Sequence, residues 1–250
     1  RTGPHARRRA RRPSAQSARA SLVLLPRSAA GPAPAPAAGA PPAPAAATDL
    51  AKLRALAGIF DPVPMSEAIT GGLRAVGRPG DLSLTAAAAT TAKSRNLAFD
   101  PATHCMVVGP FRMMARDDAR FELLADAGRA TLMFENIALG NKREIYLGRT
   151  THSTRREGTY LGDSIAHFEG DTLVVDTTNF TPKRNFLGSL GTFTLHERFT
   201  RTGPDTIVHT YTVTDPQTWT KPWTVELPMH RIAGPMLEYA CNENNEDVFT

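Results

Sequence analysis

The first 48 residues of this 250-residue chain contain no Asp, Glu or Lys, although they carry eight Arg. Over residues 28–47 large side chains are missing as well: eleven Ala, six Pro, two Gly and one Ser fill the stretch. With so little apolar bulk to bury, it cannot offset the entropy of ordering, so residues 1–48 are expected to form a disordered, partly polyproline-like leader. Beyond the leader an excess of basic charge is lacking. The chain totals +5, but the part after residue 48 holds 21 basic and 24 acidic residues, a balance of −3. A nucleic-acid-binding domain needs its basic stripe on the folded surface, so that class of partner is disfavoured. No run approaches the ~20 apolar residues of a membrane span, so no stable membrane insertion is expected. P-loop and dinucleotide fingerprints are absent, and no fixed-period repeat points to a propeller.

Cysteine is scarce, with Cys105 and Cys241 alone. Two thiols cannot complete a structural zinc site. In an exported protein they would close one long loop, worth about 3–5 kcal/mol on the chain-entropy view; in a reducing compartment they would be two buried thiols. The cluster Arg7–Arg12 followed by Ser21-Leu22-Val23-Leu24-Leu25 has the order of an export signal, although the apolar run is short and broken by Pro26.

What is present reads as strands. Residues 49–58 suggest a short helix with Asp49 as N-cap and Gly58 as its stop, and Thr85–Ser94 suggests a second. Residues 49–104 thus form a helical or irregular extension. From about 105 the pattern becomes short strands and tight turns: Phe121–Asp126, Ala130–Glu135, Arg143–Leu147, Asp163–Glu169, Thr172–Phe180, Thr194–Arg201, Thr206–Asp215, Trp223–His230 and Met236–Cys241. The fold class predicted is all-β, an antiparallel meander over residues 105–246 closing into a calycin- or lipocalin-like barrel.

The densest chemistry lies in Gly162–Thr177. Taking Gly170-Asp171 as a two-residue turn pairs Glu169 with Thr172 and Ile165 with Asp176. Alternation then puts Ser164, Ala166, Phe168, Leu173, Val175 and Thr177 on one face, and Asp163, Ile165, His167, Glu169, Val174 and Asp176 on the other. If the second set faces the lumen, His167 is a general acid/base oriented by Asp163 and Asp176. If it faces solvent, these are ordinary surface charges. In the next hairpin, around Thr202–Asp205, His196 and Arg198 are expected on the face of His209 and Tyr211, opposite Leu195, Glu197 and Phe199. Tyr211 and His209 would then assist His167, with Glu169 and His196 touching the substrate. Trp219 and Trp223 flank a rigid loop that would line the barrel mouth, or simply pack across the barrel end. No cofactor is expected, with zinc on His167, Glu169, His152, His196 or His209 as a minor alternative. Ser164 lacks the strand-turn-helix context of a nucleophile elbow.

These segments resemble a large group of mostly exported bacterial proteins that share a G-H-S-I-G-x-W-E-G-D-T-L-V-V-D-T core and have no settled activity. The likeness spans roughly residues 100–246. It takes in Arg143–Arg149 with His152, Glu197–Arg201, Asp205–Ile207, Asp215-Pro216, Thr220–Trp223 and Glu238–Asn244, and Cys105 with Gly109–Met114. It implies export to the periplasm or beyond and a Cys105–Cys241 disulfide. This chain departs from the group where the family His is Asp163 and the family Gly-Arg is Ala166-His167, so a role of that histidine would pass to His167. The expected function is an exported barrel for a small apolar molecule. It is read as an acid–base enzyme of isomerase, cyclase, lyase or hydrolase type, with a non-catalytic carrier of lipophilic ligands or a structural domain as alternatives.

Overall fold

The computed structural model describes residues 47–62, 83–94, 104, 107, 109–114, 120–134, 142–153, 157–182, 189 and 191–237. Both cysteines, and with them the expected disulfide, lie outside this set. So do residues 1–46 of the expected leader, Glu135 and residues 238–241 of the last expected strand. Met236 and Leu237 are described and are not in a strand.

Helix α1 (Ala47–Leu56) runs straight into strand β1 (Gly58–Pro62). Helix α2 (Ala86–Lys93) has Thr85 at its N-cap, whose hydroxyl accepts from the Ala88 N–H. Helix α3 covers Pro110–Met114. Eight further strands follow: β2 (Phe121–Asp126), β3 (Arg129–Phe134), β4 (Lys142–Leu147), β5 (Asp163–Glu169), β6 (Thr172–Thr178), β7 (Thr194–Arg201), β8 (Thr206–Thr214) and β9 (Trp223–Ile232). All nine close into one barrel in sequence order, with β1 between β9 and β2.

Two features depart from a simple meander. Strand β1 was not legible: it carries only two strong strand formers, Ile59 and Phe60, and ends on Pro62, which cannot donate to a ladder. It is nevertheless the stave that seals the barrel, pairing on both sides and burying Phe60 against Phe121 at 5.8 Å between ring centres. Strands β4 and β5 pair parallel, Ile145 opposite Ser164. The chain must therefore return the length of the barrel between β4 and β5.

The registers define the two barrel ends. At one lie the β5–β6 and β7–β8 turns and the start of β1. Helix α1 stoppers this end. Leu53 and Leu56 are buried, Lys52 donates to the Gly170 carbonyl, and Arg201 and Arg231 donate to the Ala55 and Ala57 carbonyls at the helix C-terminus. At the opposite end α2 is tied to the β8–β9 loop: Thr85 N–H donates to Thr218 (2.9 Å) and Thr220 N–H to Ser83 (2.8 Å). The core is the barrel interior, led by Phe60, Phe121, Phe134, Phe199, Leu132, Leu173, Val175, Leu195 and Val213.

Candidate functional site

The β5–β6 hairpin forms in the expected register, Glu169 opposite Thr172 and Ile165 opposite Asp176. Gly170 takes φ +60°, the left-handed region that a first turn residue of this kind needs and that glycine reaches without strain. Its sidedness is the reverse of the lumen reading. Ser164, Ala166, Leu173, Val175 and Thr177 are buried inside, and Phe168 packs against the core. His167, Glu169 and Asp176 look outward, with side chains 57%, 52% and 44% exposed. The physical reason is plain. Burying four apolar side chains and two small hydroxyls is favourable, whereas burying three carboxylates and an imidazole without enough partners is costly.

Outside, these groups form surface pairs. His167 Nε2 meets Glu169 Oε1 at 3.4 Å, Arg198 donates to Glu169 Oε2 at 2.7 Å, and His196 Nδ1 meets Asp176 Oδ1 at 2.7 Å. They cover Val174, which points outward yet is buried, and such pairs contribute little energy. Asp163 does not orient His167. It accepts from both terminal nitrogens of Arg149 (3.1 and 3.0 Å) and from Ser153 N–H (2.8 Å), and meets His152 Nδ1 at 3.2 Å. Burial would raise its pKa, but the Ser153 N–H and the Arg149 guanidinium outweigh that and lower it. Asp163 is thus the clasp that pins the crossover to the barrel wall.

The second reversal concerns β7 and β8. Arg201 pairs with Ile207, so five residues rather than four lie in the turn and odd positions face odd positions. One extra residue flips every side chain of one strand relative to the other. His209 and Tyr211 therefore share the interior with Leu195, Glu197 and Phe199, while His196 and Arg198 stay outside. The proposed set is split: His209 and Tyr211 lie within, His167, Asp163, Asp176, Glu169 and His196 without. Among the described residues no group of three His, Cys, Asp or Glu is placed to hold a metal ion.

Inside, a polar chain crosses the lumen from β4 to β8. Arg143 on β4 and Glu197 on β7 form a bidentate ion pair: Nη1 donates to Oε1 at 2.9 Å and Nη2 to Oε2, the two side chains being 1% and 0% exposed. Arg143 also donates from Nε to Ser164 Oγ (3.1 Å) and from Nη2 to Thr177 Oγ1 (2.6 Å), and those hydroxyls bond each other at 2.9 Å. His209 Nε2 reaches Glu197 Oε1 at 3.2 Å. Burial alone would raise the Glu197 pKa strongly. The Arg143 charge and the bonds from His209 and Arg143 overcome this and bring it to about 2. Since an ionised carboxylate only accepts, His209 must donate from Nε2.

Beyond His209 Nε2 the chain stops. Among the described residues neither His209 Nδ1 nor the Tyr211 hydroxyl has a hydrogen-bond partner, and both residues are fully buried. Aromatic rings surround them. Phe199 stacks on the imidazole at 4.1 Å and 7°, Phe121 meets it edge-on at 6.2 Å, and Trp223 meets Tyr211 edge-on at 6.2 Å. Burial, and then the Glu197 charge, push the Tyr211 pKa upward, so the phenol stays a donor. Trp219 is buried, its backbone bridging to Leu84, and its ring packs edge-on against Trp223 at 5.5 Å.

Arg143 and Glu197 were missed as site residues, although their signal was present. In Arg143-x-Ile145-x-Leu147 and Leu195-x-Glu197-x-Phe199 a lone charge occupies the apolar phase of a strand. Two such positions of opposite sign invite pairing across a core.

No protein-family profile matches this chain, and neither does any curated protein. Among solved structures it is similar to secretory abundant heat soluble protein 4 from Ramazzottius varieornatus. The identity is 13% over 46% of this chain and 69% of that one, with a TM-score of 0.30. At that level nothing about ligand or activity passes from one protein to the other.

Proposed function

We propose that this chain is an exported barrel that binds a small, largely apolar molecule in its interior. One observation carries the binding half. The barrel interior is aromatic and aliphatic, yet it contains an Arg143–Glu197–His209 chain that ends on an imidazole nitrogen with no partner among the described residues. Sites for small molecules have this composition, an apolar lining with a few fixed polar groups. Export draws its support from the resemblance noted above and from the Cys105–Cys241 pair that accompanies it. Titration with N-phenyl-1-naphthylamine tests binding: saturable, one-to-one fluorescence enhancement in the micromolar range is expected, about −8 kcal/mol. Absence of saturation would remove the ligand-binding reading. Thiol titration of the unfolded, unreduced protein tests the pairing, with no free thiol expected and two free thiols refuting it.

Acid–base catalysis is a second reading, favoured by the Glu197-oriented His209 ring, whose Nδ1 would act as the base. Deuterium wash-in at the α-carbons of 2-tetralone, compared between the wild type and His209→Gln, tests it. Equal rates would leave a binding protein only.

A further inference from the structure

We propose that the polar end of the ligand is a hydroxyl group held between His209 Nδ1 and Tyr211 Oη, on a neutral, flat, apolar molecule such as a phenol or a planar alcohol. This rests on the small-molecule reading above and names its ligand class.

The two unpartnered groups are complementary. A neutral imidazole that donates from Nε2 to Glu197 presents Nδ1 as an acceptor, and Tyr211 presents an O–H donor. They stand two residues apart on the inward face of β8, with ring centres 5.6 Å apart, yet they do not bond each other. Left so, each forfeits a hydrogen bond in an apolar, fully buried setting, which native interiors avoid. A single atom satisfies both if it accepts from Tyr211 and donates to His209, and a hydroxyl oxygen does this. A carbonyl or an ether oxygen answers Tyr211 and leaves Nδ1 unmet.

Charge points the same way. The Arg143 and Glu197 charges cancel, and both Glu197 oxygens are already engaged by Arg143, one of them also by His209. Among the described residues a cation finds no open carboxylate lone pair here, and an anion would meet the Glu197 charge among phenylalanine rings in a low dielectric. The ligand is therefore uncharged. Phe199 and Phe121 on the imidazole, with Trp223 on Tyr211, suit a flat apolar body.

The test is 19F NMR titration of the full chain with three neutral probes of similar size: 4-fluorophenol, 4-fluoroanisole and fluorobenzene, with 4-fluorobenzoate as the charged control. We expect 4-fluorophenol to bind at least tenfold tighter than the other two neutral probes, and 4-fluorobenzoate not to bind. In Tyr211→Phe, which keeps the ring, 4-fluorophenol should bind at least threefold more weakly and 4-fluoroanisole should lose any advantage over fluorobenzene, while the preference for the phenol over the anisole, which rests on His209 Nδ1, remains. In the wild type, 4-fluorophenol should move the 15N resonance of His209 Nδ1 upfield, as an acceptor nitrogen gaining a hydrogen bond does. Equal affinity for the three neutral probes, an unchanged 4-fluorophenol affinity in Tyr211→Phe, or a static Nδ1 resonance overturns the hydroxyl assignment and leaves the apolar-ligand reading standing. Binding of none of them, with an ordered water only bridging the two groups, overturns both.

Discussion

Replacing Arg143 by Met would leave the Glu197 carboxylate inside the barrel with His209 as its one remaining partner among the described residues. The methionine fills much of the arginine's volume, so the change is chiefly electrostatic. Removing one member of a buried ion pair costs about 3–5 kcal/mol, because the other charge is stranded. The pKa of Glu197 leads to a similar figure. It falls from 4.5 to about 2 on folding, and at 1.36 kcal/mol per unit this corresponds to roughly 3 kcal/mol of differential stabilisation of the charged form. The folded value is depressed, so this contribution is fully present above pH ~4.5 and disappears as pH falls through ~2. Urea unfolding followed by circular dichroism at pH 7 should therefore show Arg143→Met less stable by about 3–5 kcal/mol. The acid loss of stability between pH 4.5 and 2 should be flattened in the same variant. The double variant Arg143→Met/Glu197→Leu should recover most of the loss, since apolar replacements of buried pairs are often neutral or better. A single-variant cost below about 1 kcal/mol, the size expected of an exposed pair, would refute the claim that this pair is dry and interior.

The remaining expectations concern the wall. Asp163→Asn should free the crossover: faster amide exchange at Ser153 and a loss of about 1–2 kcal/mol are expected, with the barrel intact, and unchanged exchange would deny the clasp role. His167→Gln should change stability by less than about 0.5 kcal/mol and leave N-phenyl-1-naphthylamine binding untouched; lost binding would return His167 to the site. Gly170→Ala should cost about 1 kcal/mol by thermal unfolding, through φ alone, because no atom of the described residues stands within 4 Å of the added Cβ; a neutral result would mean the turn readily adopts another form.

The contrast between the two hairpins shows what could be read in advance. For β5–β6, Gly170-Asp171 names a two-residue turn, and the turn determines the pairing of all seven positions. For β7–β8, Gly203-Pro204-Asp205 names a turn but not its length, and the fifth residue reversed the pairing of His209 and Tyr211 with Glu197. Helix α2 was legible from Thr85 to Ser94 because its caps are local. Strand β1 was not, because five residues after a helix gain strand character only from the two neighbours that β9 and β2 provide.

By itself, then, the sequence determined the local quantities: where most strands start and stop, which turn is tight, and which side chains of one strand share a face. Period-two alternation and turn chemistry act over a few residues and need no distant partner. Tertiary structure alone decided which of the two faces is wet, since that depends on the strands that close around it. It also brought Arg143 to Glu197 across 54 residues of chain, turning two out-of-phase charges into the interior polar chain on which His209 rests.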